Sequence, residues 1–260
     1  MKKCLLILVA LFTSSCLLAK CVLVTGGAGF IGSVVNEKLH QHGYDTIVLD
    51  NLSRGNQDTV RHGIFIKGDI ADKALLDHIF NTYSIDAVMH FAAFLDVGES
   101  MTDPLKYYSN NVASTIHLLD TMHTHHINVF IFSSSATIFG LPNCDAINEK
   151  QPYHPINPYG ESKLMIETIL HDLSRAYGLR FCALRYFNAA GGDPSGYIKN
   201  YKTKENNLIP ILLRSLKQPQ GSLTIFGTDY PTKDGTCVRD YIHVDDLASA
   251  HLLAMEKLFA

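Results

Sequence analysis

Cys21-Val22-Leu23-Val24-Thr25-Gly26-Gly27-Ala28-Gly29-Phe30-Ile31-Gly32 is the stretch on which the fold turns. Its first five residues form a short apolar run of the kind buried as a strand. Gly26, Gly29 and Gly32 follow with the spacing G-x-x-G-x-x-G, and then Ile31, Val34, Val35 and Leu39 fall on one face of a helix. Glycines in such a turn allow a tight bend, close approach of backbone N–H groups to a pyrophosphate, and close packing of helix on strand. The strand before and the helix after separate this pattern from a glycine-rich turn with no ligand.

Working outward, Thr46 to Leu49 reads as a second strand ending in Asp50. An acid there suits the 2′-hydroxyl of an adenosine ribose and repels a 2′-phosphate, so NAD is expected rather than NADP, with Arg54 close by. Ile64 to Ile66 leads to Asp69 and Ile70, placed to meet the adenine, and Leu75, Leu76, Ile79 and Phe80 mark an amphipathic helix. Ala87 to Ala93 reads as a fourth strand. A helix starting near Pro104 carries Asn110 and Asn111 in its interior, where Asn is a poor residue unless it has a hydrogen-bonding task. Val129 to Phe132 forms a fifth strand ending in Ser133-Ser134-Ser135-Ala136-Thr137, and Phe181 to Phe187 a sixth. The alternation implies an α/β protein with a Rossmann-type doubly wound parallel sheet.

Past Asn188 the texture changes. A loop over 191–196 precedes a helix opened by Asn207, strands are expected over 223–227 and 236–244, and Asp245 and Asp246 start a last helix. The chain divides into a hydrophobic leader or extension (1–20), an NAD-binding domain (21–187) and a smaller, incomplete substrate domain (188–260).

With 260 residues, 47% hydrophobic and 18% charged, the chain can bury a full core, and its net charge of −3 gives no reason to expect nucleic acid as a partner. The six cysteines form no C-x-x-C pair and read as free thiols of a reducing compartment. His123, His125 and His126 lack a Cys or acidic ligand at matching spacing, so no metal is assigned. Lys2 and Lys3 before an apolar run from Cys4 to Phe12 outline a secretory signal, which leaves export as the alternative to a cytoplasmic location.

Tyr159 and Lys163 lie four apart, one turn of a helix, in Pro158-Tyr159-Gly160-Glu161-Ser162-Lys163. A phenol near an ammonium loses its proton more easily. An unperturbed Tyr titrates near about 10, and lowering that by roughly three units takes about 4 kcal/mol. With a cationic nicotinamide ring adding to the ammonium, the outcome is a base for neutral pH. The serine run at the carboxyl end of the fifth strand faces the same crevice, because ligands of open parallel sheets bind there.

Together the glycine turn, Ser-Ser-Ser-Ala-Thr, Tyr159-x-x-x-Lys163, Arg185-Tyr186-Phe187-Asn188 and Val238-Arg239-Asp240-Tyr241-Ile242-His243-Val244 resemble the extended short-chain dehydrogenase/reductase family, from Cys21 to Ala260 and in the family's order. The resemblance implies an isomerase that epimerises C4 of a UDP-hexose, UDP-glucose or UDP-galactose, by transient oxidation with tightly bound NAD. It implies Tyr159 as the base, Lys163 on the nicotinamide ribose and Ser135 on the sugar 4-hydroxyl. NAD contacts would come from Gly26, Gly29, Phe30, Ile31, Gly32, Asp50, Asn51, Asp69, Ile70, Phe91, Asn110 and Phe187. UDP-sugar contacts would come from Asn188, Asn207, Thr224, Ile225, Phe226 and Arg239. It further implies a homodimer through the helices beginning near Pro104 and Tyr159. Leu95 stands where the family has a lysine near the pyrophosphate, and the family continues beyond the point matching Ala260, which leaves a truncated, non-catalytic NAD binder, or another nucleotide-sugar epimerase or dehydratase, as alternatives.

Overall fold

The computed structural model describes residues 19–141, 146–193, 195–196, 207–225 and 227–260. The leader over 1–18, Cys4, Cys16, Cys144 and Phe226 lie outside the described residues. Six strands form one sheet: β1 (Cys21–Thr25), β2 (Asp45–Asp50), β3 (Ile64–Lys67), β4 (Ile85–His90), β5 (Val129–Ser133) and β6 (Arg180–Leu184), in the spatial order β3-β2-β1-β4-β5-β6. Every pairing is parallel. The order reverses between β1 and β4, the position where a doubly wound sheet opens a ligand crevice at its carboxyl edge.

Side chains alternate across the strands, so each strand feeds two cores. Leu23, Ile47, Leu49, Phe130 and Phe132 meet α2 (Lys73–Thr82), α5 (Ser114–Thr124) and α6 (Pro158–Tyr177) through Leu76, Ile79, Leu118, Met122, Ile166 and Leu170. Val22, Val24, Val48 and Ile131 meet α1 (Phe30–Gln41) and α8 (Val244–Phe259) through Val34, Val35, Leu39, Val244, Ala248, Leu252 and Met255. Each fully buried aliphatic side chain contributes roughly 1.5–3 kcal/mol of transfer free energy. Because α8 belongs to this second core, the unit drawn at 188–260 does not stand apart: its last helix seals the sheet of the first.

Several elements differ from expectation. The fourth strand ends at His90 rather than Ala93, because the chain there rises over the glycine turn, with the Phe91 N–H on the Thr25 carbonyl at 2.8 Å. The sixth strand stops at Leu184, because the carbonyl of Tyr186 is drawn away to the Ala136 N–H at 3.1 Å. A separate two-stranded parallel sheet pairs β7 (Asn188–Ala190) with β8 (Tyr241–His243). Of the strand expected over 236–244 only Tyr241–His243 is extended, since α8 begins at Val244, and 223–225 of the strand expected over 223–227 is irregular. The Asn-containing helix is broken in register: α3 (Val97–Thr102) and α4 (Pro104–Tyr107) lead into a π turn over Tyr108–Ala113, then α5. A further helix, α7 (Leu208–Ser215), follows Asn207. Among the described residues no helix is long and apolar enough to cross a membrane.

Candidate active site

The dinucleotide side of the crevice is built by close backbone approach. A Cβ on Gly26, whose φ is +72°, would lie 2.5 Å from the Ala92 nitrogen, and one on Gly32 would lie 2.5 Å from the Gly26 carbonyl oxygen. No larger residue fits either place without moving the backbone. The helix that follows is capped unlike its neighbours. Asp72, Asp96 and Asn157 side chains accept first-turn N–H groups in α2, α3 and α6, whereas α1 starts at Gly29 with no side-chain acceptor and no acid in its first turn. Phe30, Ile31 and Gly32 therefore begin a helix whose positive end suits an anion.

At the end of β2, Asp50 is 8% exposed; its carboxylate accepts the Ala28 N–H at 3.0 Å and the Leu52 N–H at 2.8 Å. Burial pushes its acid upward, against those two N–H groups. Each carboxylate oxygen keeps a second lone pair for a ribose hydroxyl. Asn51 donates to Asp69 at 2.7 Å, and Ile70 is buried beside them. Leu95 is exposed, but Arg54 and Lys106 flank the neighbouring Phe94 ring at 5.6 and 4.5 Å from its centroid. An uncapped helix start, a glycine cradle and an acid at the second strand end fit a dinucleotide such as NAD.

The oddity of two Asn residues inside a helix has a structural answer. Asn111 is buried, accepts the Phe94 N–H at 2.9 Å, donates to the Phe94 carbonyl at 3.0 Å and reaches Ser162 at 3.2 Å. It ties the loop after β4 to α6, while the half-buried Asn110 donates to it at 2.9 Å. A second buried path runs from Thr25 to His90 (2.7 Å) to Thr115 (3.0 Å) to the Asn111 carbonyl (2.8 Å). The Thr115 hydroxyl has one proton, which the carbonyl takes, so His90 carries its proton on Nε2 and accepts from Thr25 on Nδ1. Burial and the Lys163 charge push His90 down to about 3, which keeps it neutral.

The catalytic candidates converge at the end of β5. Tyr159 is half-buried and hydrogen-bonded to Ser135, whose hydroxyl oxygen also accepts from the Thr137 N–H at 3.2 Å. Lys163 is buried and donates to the Ser133 carbonyl at 2.8 Å. Burial raises the Tyr159 phenol above its usual range and the Ser135 hydrogen bond pulls it back. The same burial lowers Lys163 to about 7. In the chain alone, the Lys163 ammonium does not offset the desolvation of the phenol, so the lowering expected of Lys163 together with a cationic nicotinamide ring needs that second charge.

Further participants in this cluster escaped the sequence reading. Tyr186, whose phenol burial pushes up, shares a very short hydrogen bond with the Ser133 hydroxyl. Ser134 donates to Glu167, a buried carboxylate gripped by Arg185 through Nε at 3.0 Å and Nη2 at 2.5 Å. The signal for Glu167 was its place four residues beyond Lys163 and eight beyond Tyr159, on the same helix face.

The sugar-side candidates are less tightly held. Asn188 opens β7 and donates to the Asp240 carbonyl at 2.8 Å, which brings it close in the chain pairing to Arg239. Phe187 is exposed where the chain leaves the main sheet. Asn207, Thr224, Ile225 and Arg239 are exposed positions of the segment over 207–240, not members of the buried cluster. Among the described residues no group of His, Cys, Asp and Glu side chains converges as a metal site. Cys21 and Cys182 are free and pushed up by burial, Cys21 to about 11, and Cys237 is free and exposed.

The model of the "NAD dependent epimerase/dehydratase family" matches residues 22–260. A UDP-glucose 4-epimerase of Halalkalibacterium halodurans is 50% identical over 237 residues, 91% of this chain and 71% of that protein. One from Lacticaseibacillus casei is 48% identical, over 92% of this chain and 72% of that protein. Among solved structures, UDP-glucose 4-epimerase from Brucella ovis in complex with NAD superposes with a TM-score of 0.88 at 48% identity, covering 93% of this chain and 74% of the other. The Bifidobacterium longum enzyme in complex with NAD+ and UDP gives a TM-score of 0.86 at 40% identity, covering 91% and 74%.

Proposed function

The chain belongs to the NAD dependent epimerase/dehydratase family, and on that premise we propose that it inverts C4 of a UDP-hexose, interconverting UDP-glucose and UDP-galactose. The observation that carries the reading is the cluster at the end of β5: Tyr159 on Ser135 and Lys163 on the Ser133 carbonyl, at the carboxyl edge where the glycine turn also opens.

The uncapped start of α1 would hold the pyrophosphate of NAD, and Asp50 with Asn51 and Asp69 the adenosine side. When bound, NAD supplies the acceptor and donor of hydride at C4 and a positive charge beside Tyr159. That charge is the one the phenol lacks, so Tyr159 becomes a working base with the cofactor in place. Tyr159 takes the 4-hydroxyl proton through Ser135 and returns it after the 4-keto sugar has presented its other face. Phe91, Asn110 and Phe187 line the nicotinamide side. Asn188, Asn207, Thr224, Ile225, Phe226 and Arg239 hold the UDP-sugar, with the Arg239 guanidinium on the diphosphate.

Met101, Leu105, Ile116 and Met165 leave apolar side chains exposed on α3, α4, α5 and α6, and a homodimer packs through these helices. Cys21, Cys182 and Cys237 are free thiols, which with a need for NAD supports a cytoplasmic location. The deciding experiment supplies NAD and UDP-galactose to the purified chain and follows UDP-glucose. Turnover that disappears in Tyr159→Phe supports the reading; retained NAD with no turnover in the unmodified chain overturns it in favour of a binder.

A further inference from the structure

We propose that the buried Glu167–Arg185 ion pair is a positioning device for the Tyr159 base, keeping the neighbouring Lys163 charged and locking the serine run against α6. It rests on the reading of Tyr159 as the base. Three side chains on one face of α6, each a turn apart, meet three consecutive serines: Tyr159 meets Ser135, Lys163 meets the Ser133 carbonyl, and Glu167 meets Ser134. Glu167 is thus the third rung of a ladder whose first two rungs are the catalytic candidates.

The pair is oriented. The Glu167 carboxylate is 2% exposed and lies on the Lys163 side. The Arg185 guanidinium turns the other way, donating to the Tyr153 hydroxyl at 2.8 Å and stacking over the Tyr153 and Phe139 rings at 4.8 and 5.6 Å. Burial penalises the Lys163 charge, and the Ser133 carbonyl at 2.8 Å and the Phe132 ring at 4.9 Å, both attractive to an ammonium, offset that cost only in part. The titratable groups around Lys163 are few. His90 on β4 is held neutral by burial, Tyr186 beyond β6 is held protonated, and Tyr159 is the base itself. Glu167 is the carboxylate of this set, and its attraction works against the desolvation of Lys163. An ion pair kept only for packing is replaceable by apolar side chains of similar volume, often without loss of stability. An ion pair kept for its negative end is not replaceable in that way.

The experiment measures the tyrosinate absorbance of the NAD-loaded chain against pH, each variant read against the same variant carrying Tyr159→Phe, so that Tyr159 alone is reported. The pH profile of kcat for UDP-galactose conversion is taken in parallel. Glu167→Gln and the paired variant Glu167→Met with Arg185→Met are compared with the unmodified chain; the second removes both charges together, so that neither charge is left unpaired. In both, the Tyr159 titration and the acid limb of kcat are expected to move up by about one pH unit with KM unchanged. Glu167→Asp, which keeps the carboxylate, is expected to recover part of the shift. A paired variant that titrates like the unmodified chain overturns the proposal and leaves the pair a packing element. If the unmodified chain turns over no UDP-galactose, the epimerase reading fails, and the Tyr159 titration alone still decides whether Glu167 acts on it.

Discussion

The crevice has two sides built in opposite ways. On the dinucleotide and base side, the candidate groups are fixed by a core: His90, Asn111, Ser133, Ser134, Lys163 and Glu167 are all buried, and each has a named hydrogen-bond partner. On the sugar side, over 207–240, Asn207, Thr224, Ile225 and Arg239 are exposed, and apolar side chains such as Leu213, Leu216 and Val238 are more than half exposed with them. The difference teaches that the candidate base and its neighbours are held by the same burial that supports the sheet. The groups proposed for the UDP-sugar sit on exposed segments that add nothing to that core. Chemistry that demands placement within fractions of an ångström belongs on the first kind of support.

That contrast can be broken by experiment. Tyr159→Phe should cut kcat by roughly 10²–10⁴-fold while bound NAD, read by its absorbance after gel filtration, is unchanged. Loss of NAD together with turnover would mean that base and cofactor sites are not separately supported. Gly26→Ala forces a Cβ against the Ala92 backbone. Backbone strain of roughly 3 kcal/mol should weaken NAD binding about 100-fold by titration calorimetry. Arg239→Ala should raise the KM for UDP-galactose about tenfold, the worth of one charge-assisted hydrogen bond, with NAD affinity untouched. A fall in NAD affinity would show that the two sides are coupled after all.

The smallest effect is the most diagnostic of burial. Lys163→Met removes a buried ammonium, so the cofactor-free chain should melt higher, by about 2–4 °C for each kcal/mol relieved, although activity is lost. The sign follows from Lys163 being lowered from 10.5 to about 7. Below pH 7 folded and unfolded chains both carry the proton, and the folded chain bears the full cost of the buried charge. Between about 7 and 10.5 only the unfolded chain holds the proton, so the stability of the unmodified chain rises with pH. The melting advantage of Lys163→Met is therefore largest at neutral pH and below, and shrinks toward pH 10.5. An advantage that does not change with pH would mean that Lys163 is not desolvated.

Much of the buried side was legible in the sequence, because its signals are local. The apolar run and glycine spacing of 21–32, the acid after the second strand and the Tyr159/Lys163 interval each follow from chain geometry over one or two turns. Two Asn residues where a helix disfavours them pointed to a hydrogen-bonding task, which Asn111 performs, but not to the π turn that carries them. What escaped depends on partners distant in sequence. A Glu inside a charged amphipathic helix reads as a solvated face; its spacing from Lys163 is a weak signal, and what sets Glu167 apart is Arg185 and Ser134, which folding brings to it. Three identical serines read as one feature, yet only Ser133 belongs to β5, and as the chain leaves the strand each side chain meets a different neighbour. Leu223-Thr224-Ile225 has the composition of a strand, but strand propensity is a preference for a pleated, partnered surface, and 221–225 is irregular without one.

The π turn over Tyr108–Ala113 has a consequence best put in the language of inheritance. A helix makes such a turn when it is given one residue more than its register needs. The feature is thus worth a single codon. Removing one codon there would let the helix run straight and would rotate everything before the turn by about 100° relative to everything after it. Asn110 would leave its place beside Asn111, and the tie from Phe94 to Ser162 would be cut. Substitutions along this helix can be tolerated one at a time, but its length cannot drift. In any lineage of this chain the interval from His90 to Tyr159 should accept insertions in its loops and none between Pro104 and Thr124.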